Sequence, residues 1–199
     1  SVMFLCQAIG LPMPMTTLQV LWMNLITDGV PGLALALEPT EPGIMRRRPF
    51  EPSESIFSRG IGRHVVVMGL LMTAVSFGVG YWAWRDGRDG WGTMVFVTLT
   101  LAQLGHALAV RSHRESLFTI GLRSNPLMLW ALAVTLALQL LVVYAPPAQR
   151  LFGTSPLDGM ELLMCLAAST VVFWGVEVEK WVERRRAEAR AGAMTPVAA

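Results

Sequence analysis

Charged residues are scarce in this sequence of 199 residues, and their scarcity excludes an ordinary soluble fold. Only 15% of the residues are Asp, Glu, Lys or Arg, whereas about a quarter of a soluble domain is charged. Hydrophobic residues make up 53% of the chain, and its mean hydropathy is +0.49. We therefore predict an integral membrane protein, with membrane lipid as its surrounding partner.

Cysteines and the motifs of soluble enzymes are also few or absent. The two cysteines, Cys6 and Cys165, lie in apolar stretches, which excludes a disulfide framework. The sequence contains no G-x-x-x-x-G-K-[ST], no H-E-x-x-H and no Cys/His cluster with zinc-ligand spacing. The connections between apolar stretches are too short to hold a catalytic domain. We therefore expect no catalytic residue in this chain and no nucleic-acid partner.

Long apolar runs dominate what remains, and they predict the fold class. We expect an all-α integral membrane protein, a helical bundle of about five transmembrane helices that forms a single domain over residues 1–199. The first helix looks truncated, because it covers about half a membrane crossing, and we expect polypeptide upstream of Ser1 to be missing. The predicted elements are a truncated helix at 1–9, a helix at 15–37, a loop at 38–63, transmembrane helices at 64–84, 91–110, 126–145 and 159–178, and a tail at 180–199.

Basic residues are distributed unevenly among the polar segments. The loops at 38–63 and 111–125 and the tail at 180–199 hold 13 of the 16 Lys and Arg residues. If successive spans alternate in direction, all three segments lie on one side of the membrane, which the positive-inside rule makes the cytoplasmic side. We therefore expect a cytoplasmic C-terminus. The Ala- and Arg-rich composition suggests a bacterial plasma membrane.

The helix predicted at 15–37 has a polar centre. Asp28 is its only charged residue, and a carboxylate in mid-membrane costs about 2.5–3.5 kcal/mol unless it has a partner. Asn24, Thr27 and Asp28 are spaced i, i+3 and i+4, so their side chains share one helical face. Because hard cations prefer oxygen ligands of this kind, we predict that the three residues bind a metal ion. The alternative is a polar patch that hydrogen-bonds helices together.

A proline between two glycines follows the polar centre. Pro31 has no N–H, so the carbonyl of Thr27 loses its helical partner, and Gly29 and Gly32 ease unwinding. We therefore predict that the helix is unwound at Gly29–Gly32. Transporters place ion sites on broken helices near the membrane midplane, which makes 15–37 the ion-site helix.

The segment around this polar centre resembles a known family. The string LQVLWMNLITDGVP at 18–31 is preceded by GLP at 10–12 and followed by EP at 38–39 and IMRRRP at 44–49. Together they resemble the sixth membrane helix and following loop of type II P-type ATPases, above all the calcium pumps of the sarcoplasmic-reticulum kind and their bacterial relatives. The later spans fit the last four membrane helices of that family, so the resemblance runs from the end of the fifth helix to the tenth.

The resemblance implies a cargo, cofactors and partners. It implies that Asn24, Thr27 and Asp28 are cation ligands, and the Gly29 that follows looks like the calcium branch, so the transported cation is expected to be Ca²⁺. ATP and Mg²⁺ would act only in cytoplasmic domains that are missing here. Those domains and the missing N-terminal membrane helices of the same polypeptide are the expected partners. This chain alone would be a non-catalytic part of an ATP-hydrolysing cation translocase.

The polar loop at 38–63 has an implied role of its own. Its Arg46, Arg47 and Arg48 are a positive anchor on the cytoplasmic side. In the family that the chain resembles, this loop also meets the phosphorylation domain. The resemblance therefore implies a coupling loop that links ATP chemistry to the ion site.

Gln103 departs from the pattern of calcium pumps that bind two ions. Those pumps have a glutamate in the eighth helix, and the matching position here is Gln103. Because a neutral amide binds a divalent cation more weakly than a carboxylate does, we hypothesise one ion per cycle or a different cation preference. A Na⁺, Mn²⁺ or H⁺ pump of the same superfamily, and a stand-alone transporter or assembly subunit without ATPase activity, remain as alternatives.

Other polar residues in the spans have simpler interpretations. Gln103 and His106 would also fit an interhelical hydrogen-bonding pair, and Gln139 fits a packing hydrogen bond. Glu177 and Glu179 lie near the cytoplasmic end of the last span, where we expect them to be solvated or to snorkel towards water.

Overall fold

The computed structural model of the chain describes residues 1–38, 61–111, 121 and 124–193, with side chains through residue 185. Within these residues the chain forms helices and turns and no β-strand. The elements in chain order are α1 (Val2–Ala8), α2 (Thr17–Trp22), a π-helical turn (Met23–Thr27), α3 (Gly29–Ala36), α4 (Ile61–Arg85), α5 (Trp91–Ala109), α6 (Pro126–Tyr144), α7 (Pro146–Phe152) and α8 (Gly159–Ala193). The predicted all-α fold class is confirmed.

Four helices are long and apolar enough to cross a membrane. They are α4, α5, α6 and the Gly159–Arg185 part of α8, and they coincide with the last four predicted spans. The segment predicted at 15–37 is different, because α2, the π-helical turn and α3 divide it into three consecutive pieces. The interruption therefore falls in the one span that carries the candidate ligands Asn24, Thr27 and Asp28.

The structure contains more helix than the sequence pattern predicted. α8 does not stop at the predicted tail but continues to Ala193, because Ala, Glu and Arg favour helix. The short α7 follows α6 directly. It begins with two prolines at its first positions, where the absent N–H groups cost nothing, and it ends at Gly153, whose φ of +68° is readily adopted by glycine.

α5 is the central helix of the bundle. It packs against α4, α6, α8, α3 and the π-helical turn. Met94, Val95 and Phe96, near its start, are completely buried. A polar side chain on α5 can therefore meet partners from several other elements.

Glycines allow two close helix crossings around α4. A Cβ atom added at Gly80 of α4 would overlap the side chain of Val95 on α5, and one added at Gly175 of α8 would lie 2.6 Å from Cδ2 of Leu71 on α4. Small residues let helix backbones approach each other closely in membranes. α4, α5 and α8 thus form one packed group, and α3 packs against both α6 and α5.

Candidate cation site

The polar centre of the interrupted span lies on the π-helical turn Met23–Thr27. The N–H of Asp28 donates to the carbonyl of Met23 over 2.9 Å, which is five residues back rather than the four of an α-helix. Single π turns within α-helices occur frequently at functional sites. The distortion therefore coincides with the residues that the sequence singles out as ligands.

The predicted unwinding at Gly29–Gly32 is wrong, because α3 begins at Gly29 and continues through these residues. The N–H of Gly32 donates to the carbonyl of Asp28 over 3.0 Å. Pro31 is the third residue of α3, a position where a backbone N–H needs no partner within the helix. Since the π turn has already ended the preceding helix, the proline is tolerated there, and the carbonyl of Thr27 still lacks a donor four residues ahead.

The three predicted ligands on this turn differ in exposure. Thr27 is buried, with 1% of its surface exposed, and its Oγ1 has no hydrogen-bond partner among the described residues. Asn24 and Asp28 are exposed. The turn therefore combines one enclosed hydroxyl with an accessible amide and an accessible carboxylate.

The fourth predicted ligand, Gln103, lies on α5, which packs against the interrupted span. The π-helical turn and α3 both pack against α5, on which Gln103 is half-buried. Its Oε1 is buried and has no hydrogen-bond partner in the part of the chain that the structure describes. In that part no three His, Cys, Asp or Glu side chains gather into a metal-binding group. A cation at the turn would thus depend on Asp28 together with neutral oxygens.

Polar contacts fix the N-terminal end of the interrupted span. Thr16 and Gln19 form a capping box at the start of α2, and Nε2 of Gln19 donates to the carbonyl of Phe152 in α7 over 3.0 Å. Directly before the π turn, Nε1 of Trp22 donates to Oε1 of Gln139 on α6 over 3.1 Å. The predicted packing bond of Gln139 is therefore confirmed, and it holds α2 against α6.

A buried ion pair, which the sequence pattern did not predict, fixes the C-terminal end of the span. The Arg111 side chain is 0% exposed, and its Nη2 donates to Oε1 of Glu38 over 2.7 Å. Nδ2 of Asn125 donates to Oε2 of Glu38 over 2.7 Å and to the carbonyl of Ala34 over 3.2 Å. We call Glu38, Arg111 and Asn125 the clamp. It joins the end of α3 to the end of α5 and the start of α6.

Arg111 of the clamp makes further hydrogen bonds besides those to Glu38. Arg111 also donates to Oγ of Ser124 over 2.6 Å and to the carbonyl of Gly121 over 3.3 Å. Burial raises the pKa of Glu38, but the hydrogen bonds from Arg111 and Asn125 outweigh burial and leave that pKa below its ordinary value. A signal was present in the sequence, since Glu38 and Arg111 each end an apolar run. Their pairing was hidden because 73 positions separate them.

Comparison with known proteins places the chain in a family. Residues 12–182 match the family described as cation transporting ATPase, C-terminus. The chain belongs to this family. It is 32% identical over 187 residues, 92% of the chain, to the human calcium-transporting ATPase type 2C member 1. It is 33% identical over 173 residues, 85% of the chain, to a calcium-transporting ATPase of Bacillus subtilis. The chain spans 20% and 19% of the lengths of these two relatives.

The predicted resemblance to the C-terminal region of a type II P-type ATPase is confirmed by this match. A calcium-transporting ATPase of Schizosaccharomyces pombe is also similar, at 31% identity over 190 residues. In this ATPase region, the predicted coupling residues Arg46, Arg47 and Arg48 lie outside the residues that the structure describes.

Two glutamates of this ATPase region are placed differently from the prediction. Glu177 is only 8% exposed and pairs with Lys180 over 3.3 Å. The Glu179 side chain is 15% exposed and contacts both Arg63 and His64 at the start of α4. The expectation of solvated or snorkelling side chains is wrong, because α4 packs against α8 and brings partners for Glu179.

Proposed function

We propose that this chain forms part of the transmembrane cation pathway of an ATP-driven pump and that the cargo is Ca²⁺. The observation that carries the proposal is the buried Oγ1 of Thr27, which has no partner in the described chain and lies on the π-helical turn directly before Asp28. A buried hydroxyl without a hydrogen bond costs about 1–3 kcal/mol. A cation beside Asp28 would give this oxygen a partner and would also compensate the charge of the carboxylate.

The proposed ligands are Asn24, Thr27, Asp28 and Gln103, and all four would bind through oxygen. Oxygen ligands favour a hard cation over a borderline or soft one. Ca²⁺ takes about six to eight oxygen ligands, which is more than these side chains supply. We therefore expect further ligands from other membrane helices of a longer polypeptide, and the exposure of Asn24 and Asp28 supports this expectation.

The preference for Ca²⁺ over Na⁺, Mn²⁺ or H⁺ rests on the relatives, because oxygen ligands suit Mn²⁺ as well as Ca²⁺. The relatives from human, Bacillus subtilis and Schizosaccharomyces pombe are each named calcium-transporting ATPases. Gln103 would contribute a neutral amide, so Asp28 would be the only anionic ligand that this chain provides. We therefore expect one ion per cycle.

The energy source is proposed to lie in the rest of the polypeptide, because the chain spans about a fifth of its relatives. ATP and Mg²⁺ would act there, and the segment at 38–63 with its three arginines would carry the resulting movement to α3. This segment begins at Glu38, which belongs to the clamp, so a displacement of the segment would act directly on the end of α3. We also propose that this segment and the C-terminus are cytoplasmic and that the host membrane is a bacterial plasma membrane.

Ca²⁺-dependent phosphorylation of the full-length polypeptide by labelled ATP tests the proposal. We expect Asp28→Asn to lower the apparent Ca²⁺ affinity by roughly 100-fold, which corresponds to a loss of about 3 kcal/mol of binding free energy. Asp89→Asn is the matched control, because it neutralises an exposed carboxylate in the turn between α4 and α5. We expect this control to keep the wild-type Ca²⁺ dependence.

Several outcomes would contradict parts of the proposal. Wild-type Ca²⁺ dependence in Asp28→Asn would remove Asp28 from the site. Phosphorylation that responds to Na⁺, Mn²⁺ or pH but not to Ca²⁺ would favour another pump of the superfamily. In the same preparation, two bound Ca²⁺ ions per phosphorylated protein would contradict the expectation of one ion per cycle.

A further inference from the structure

One face of α8 is exposed along the whole membrane-spanning part of the helix. Five large apolar side chains on this face are each more than half exposed, namely Met160, Leu163, Trp174, Val178 and Trp181. Their spacing follows the 3.6-residue period, so they lie on one side of the helix. Other residues of α8, among them the buried Val172 and Val176, belong to the helix where it packs against α4 and α5. Since α8 is long and apolar enough to cross a membrane, we expect the exposed face to lie against lipid.

The exposed face ends in an arginine that stacks on a tryptophan. Arg185 follows Trp181 by four residues, which places both on the same face, and its side chain is exposed. Cζ of Arg185 lies 5.4 Å from the centre of the Trp181 ring, within the range of a cation–π contact. Tryptophans at the ends of membrane helices lie at the level of the lipid headgroups. The guanidinium beside this ring therefore lies where headgroup phosphates are found.

The positive charge at this end of α8 is not neutralised by the described carboxylates. They are paired with other cations: Glu177 with Lys180 over 3.3 Å, Glu179 with Arg63 over 3.3 Å and Glu183 with Arg63 over 2.7 Å. Arg184 and Arg185 have no carboxylate partner among the residues that the structure describes. In the sequence, Arg186 and Arg190 follow with a single glutamate, Glu188. The end of the helix therefore has an excess of positive charge beside an apolar face.

We propose that Trp181, Arg184 and Arg185, which we call the Trp–Arg edge, bind the phosphate of an anionic phospholipid. The acyl chains of this lipid would lie along the exposed face of α8. A guanidinium matches phosphate oxygens with two parallel N–H donors, and basic residues directly after a membrane helix attract anionic lipids. A zwitterionic lipid carries a cationic group next to its phosphate, so it gains less from the two arginines.

The continuity of the apolar face with the Trp–Arg edge favours a lipid over a soluble phosphate. A phospholipid is a single ligand that places acyl chains on Val178 and Trp181 and a phosphate on Arg185. A soluble phosphate compound would use the charge and leave the apolar face uncovered. This inference depends on the membrane location of α8 and not on the identity of the transported cation.

Native mass spectrometry of the purified full-length polypeptide in detergent tests the proposal, with phosphatidylglycerol as the anionic lipid and phosphatidylcholine as the zwitterionic one. We expect the wild type to bind phosphatidylglycerol more tightly. Arg185→Gln should weaken this binding about fivefold, and Arg184→Gln together with Arg185→Gln about 25-fold. Trp181→Leu keeps an apolar side chain without the ring, so we expect a loss of about two- to fivefold. Arg150→Gln is the matched control, because it removes an exposed arginine of α7.

A second measurement separates lipid binding from folding. The described contact of the Arg185 side chain is the Trp181 ring, so without added lipid Arg185→Gln should unfold at the wild-type temperature. Added phosphatidylglycerol should then raise the unfolding midpoint of the wild type more than that of the variant.

Three results would overturn the proposal. The first is equal binding of the two lipids by the wild type, which is expected if another membrane helix covers the face. The second is an equal loss of phosphatidylglycerol binding in Arg185→Gln and Arg150→Gln. The third is displacement of the lipid by an equal concentration of glycerol phosphate, which would indicate a site for soluble phosphates. Each result leaves the Ca²⁺ proposal untouched, because none of these measurements involves Ca²⁺.

Discussion

The π-helical turn and the clamp lie on the same interrupted span, yet their buried polar groups differ in whether they have hydrogen-bond partners. In the clamp, the completely buried Arg111 side chain donates to Glu38, Ser124 and the carbonyl of Gly121. In the turn, Thr27 is buried almost as deeply, but its Oγ1 has no partner among the described residues. The clamp satisfies its own polar groups and so stabilises the fold, whereas the turn keeps a buried hydroxyl without a described hydrogen-bond partner.

Breaking the clamp should have the largest effect. Arg111→Met keeps an apolar side chain of similar length but leaves Glu38 without its charged partner, and removal of one member of a buried pair costs about 3–5 kcal/mol. We expect a clearly lower thermal unfolding midpoint of the full-length protein in detergent. Arg88→Met is the control, because it removes the more exposed pairs with Asp86 and Glu161. Equal shifts in the two variants would contradict the structural role of the clamp.

Lowering the pH should also weaken the clamp, by removing the charge of Glu38. The folded-state pKa of Glu38 lies below the ordinary value of 4.5, so its charged form stabilises the fold. This contribution is fully present above the unfolded-state pKa and is lost as the pH falls through the lower folded-state pKa. We expect the difference in unfolding midpoint between wild type and Glu38→Gln to be constant above about pH 5.5 and to shrink at lower pH. A difference that persists unchanged in acid would contradict this role of the Glu38 charge.

Removing the unpartnered hydroxyl of the turn should have the smallest effect on stability and should not lower it. Thr27→Val keeps the shape of the side chain and removes a buried group that has no hydrogen bond, so we expect unchanged stability or a gain of about 1 kcal/mol at most. Thr135→Val is a matched control, because Oγ1 of Thr135 on α6 is also buried without a described partner. Only Thr27→Val should weaken Ca²⁺-dependent phosphorylation. Equal weakening of Ca²⁺-dependent phosphorylation in Thr27→Val and Thr135→Val would contradict a specific role for the Thr27 hydroxyl.

The sequence was sufficient for the four long spans, and it singles out the residues of the candidate site. Long uncharged runs fix where helices can cross a membrane, and the four long helices match the runs that were predicted. Asp28 stands out because it is the only charge in its run, and Asn24 and Thr27 follow from helical spacing. Each of these inferences depends on residues that are close in the chain.

Features that depend on distant parts of the chain were not predictable. Pro31 indicated a break, but the π turn lies one turn earlier, where α2 is held by Trp22 and Gln139 and the turn packs against α5. Glu38 and Arg111 gave no sign of their pairing across 73 positions. Glu179 looked solvated because its partner His64 belongs to another helix. In each case the deciding contact joins residues that local patterns cannot connect.

The π-helical turn also has a consequence for rotation about the helix axis. It holds one residue more than an α-helical turn requires. If the stretch returned to α-helical bonding, the part of the helix on one side would turn by about 100° and shift by about 1.5 Å relative to the other. Because Trp22 anchors α2 and Glu38 anchors α3, the two ends resist that rotation. If both ends stay fixed, the π turn can only move along the chain one residue at a time. The side chains from Asn24 to Asp28 are then the ones that would turn to another face of the helix.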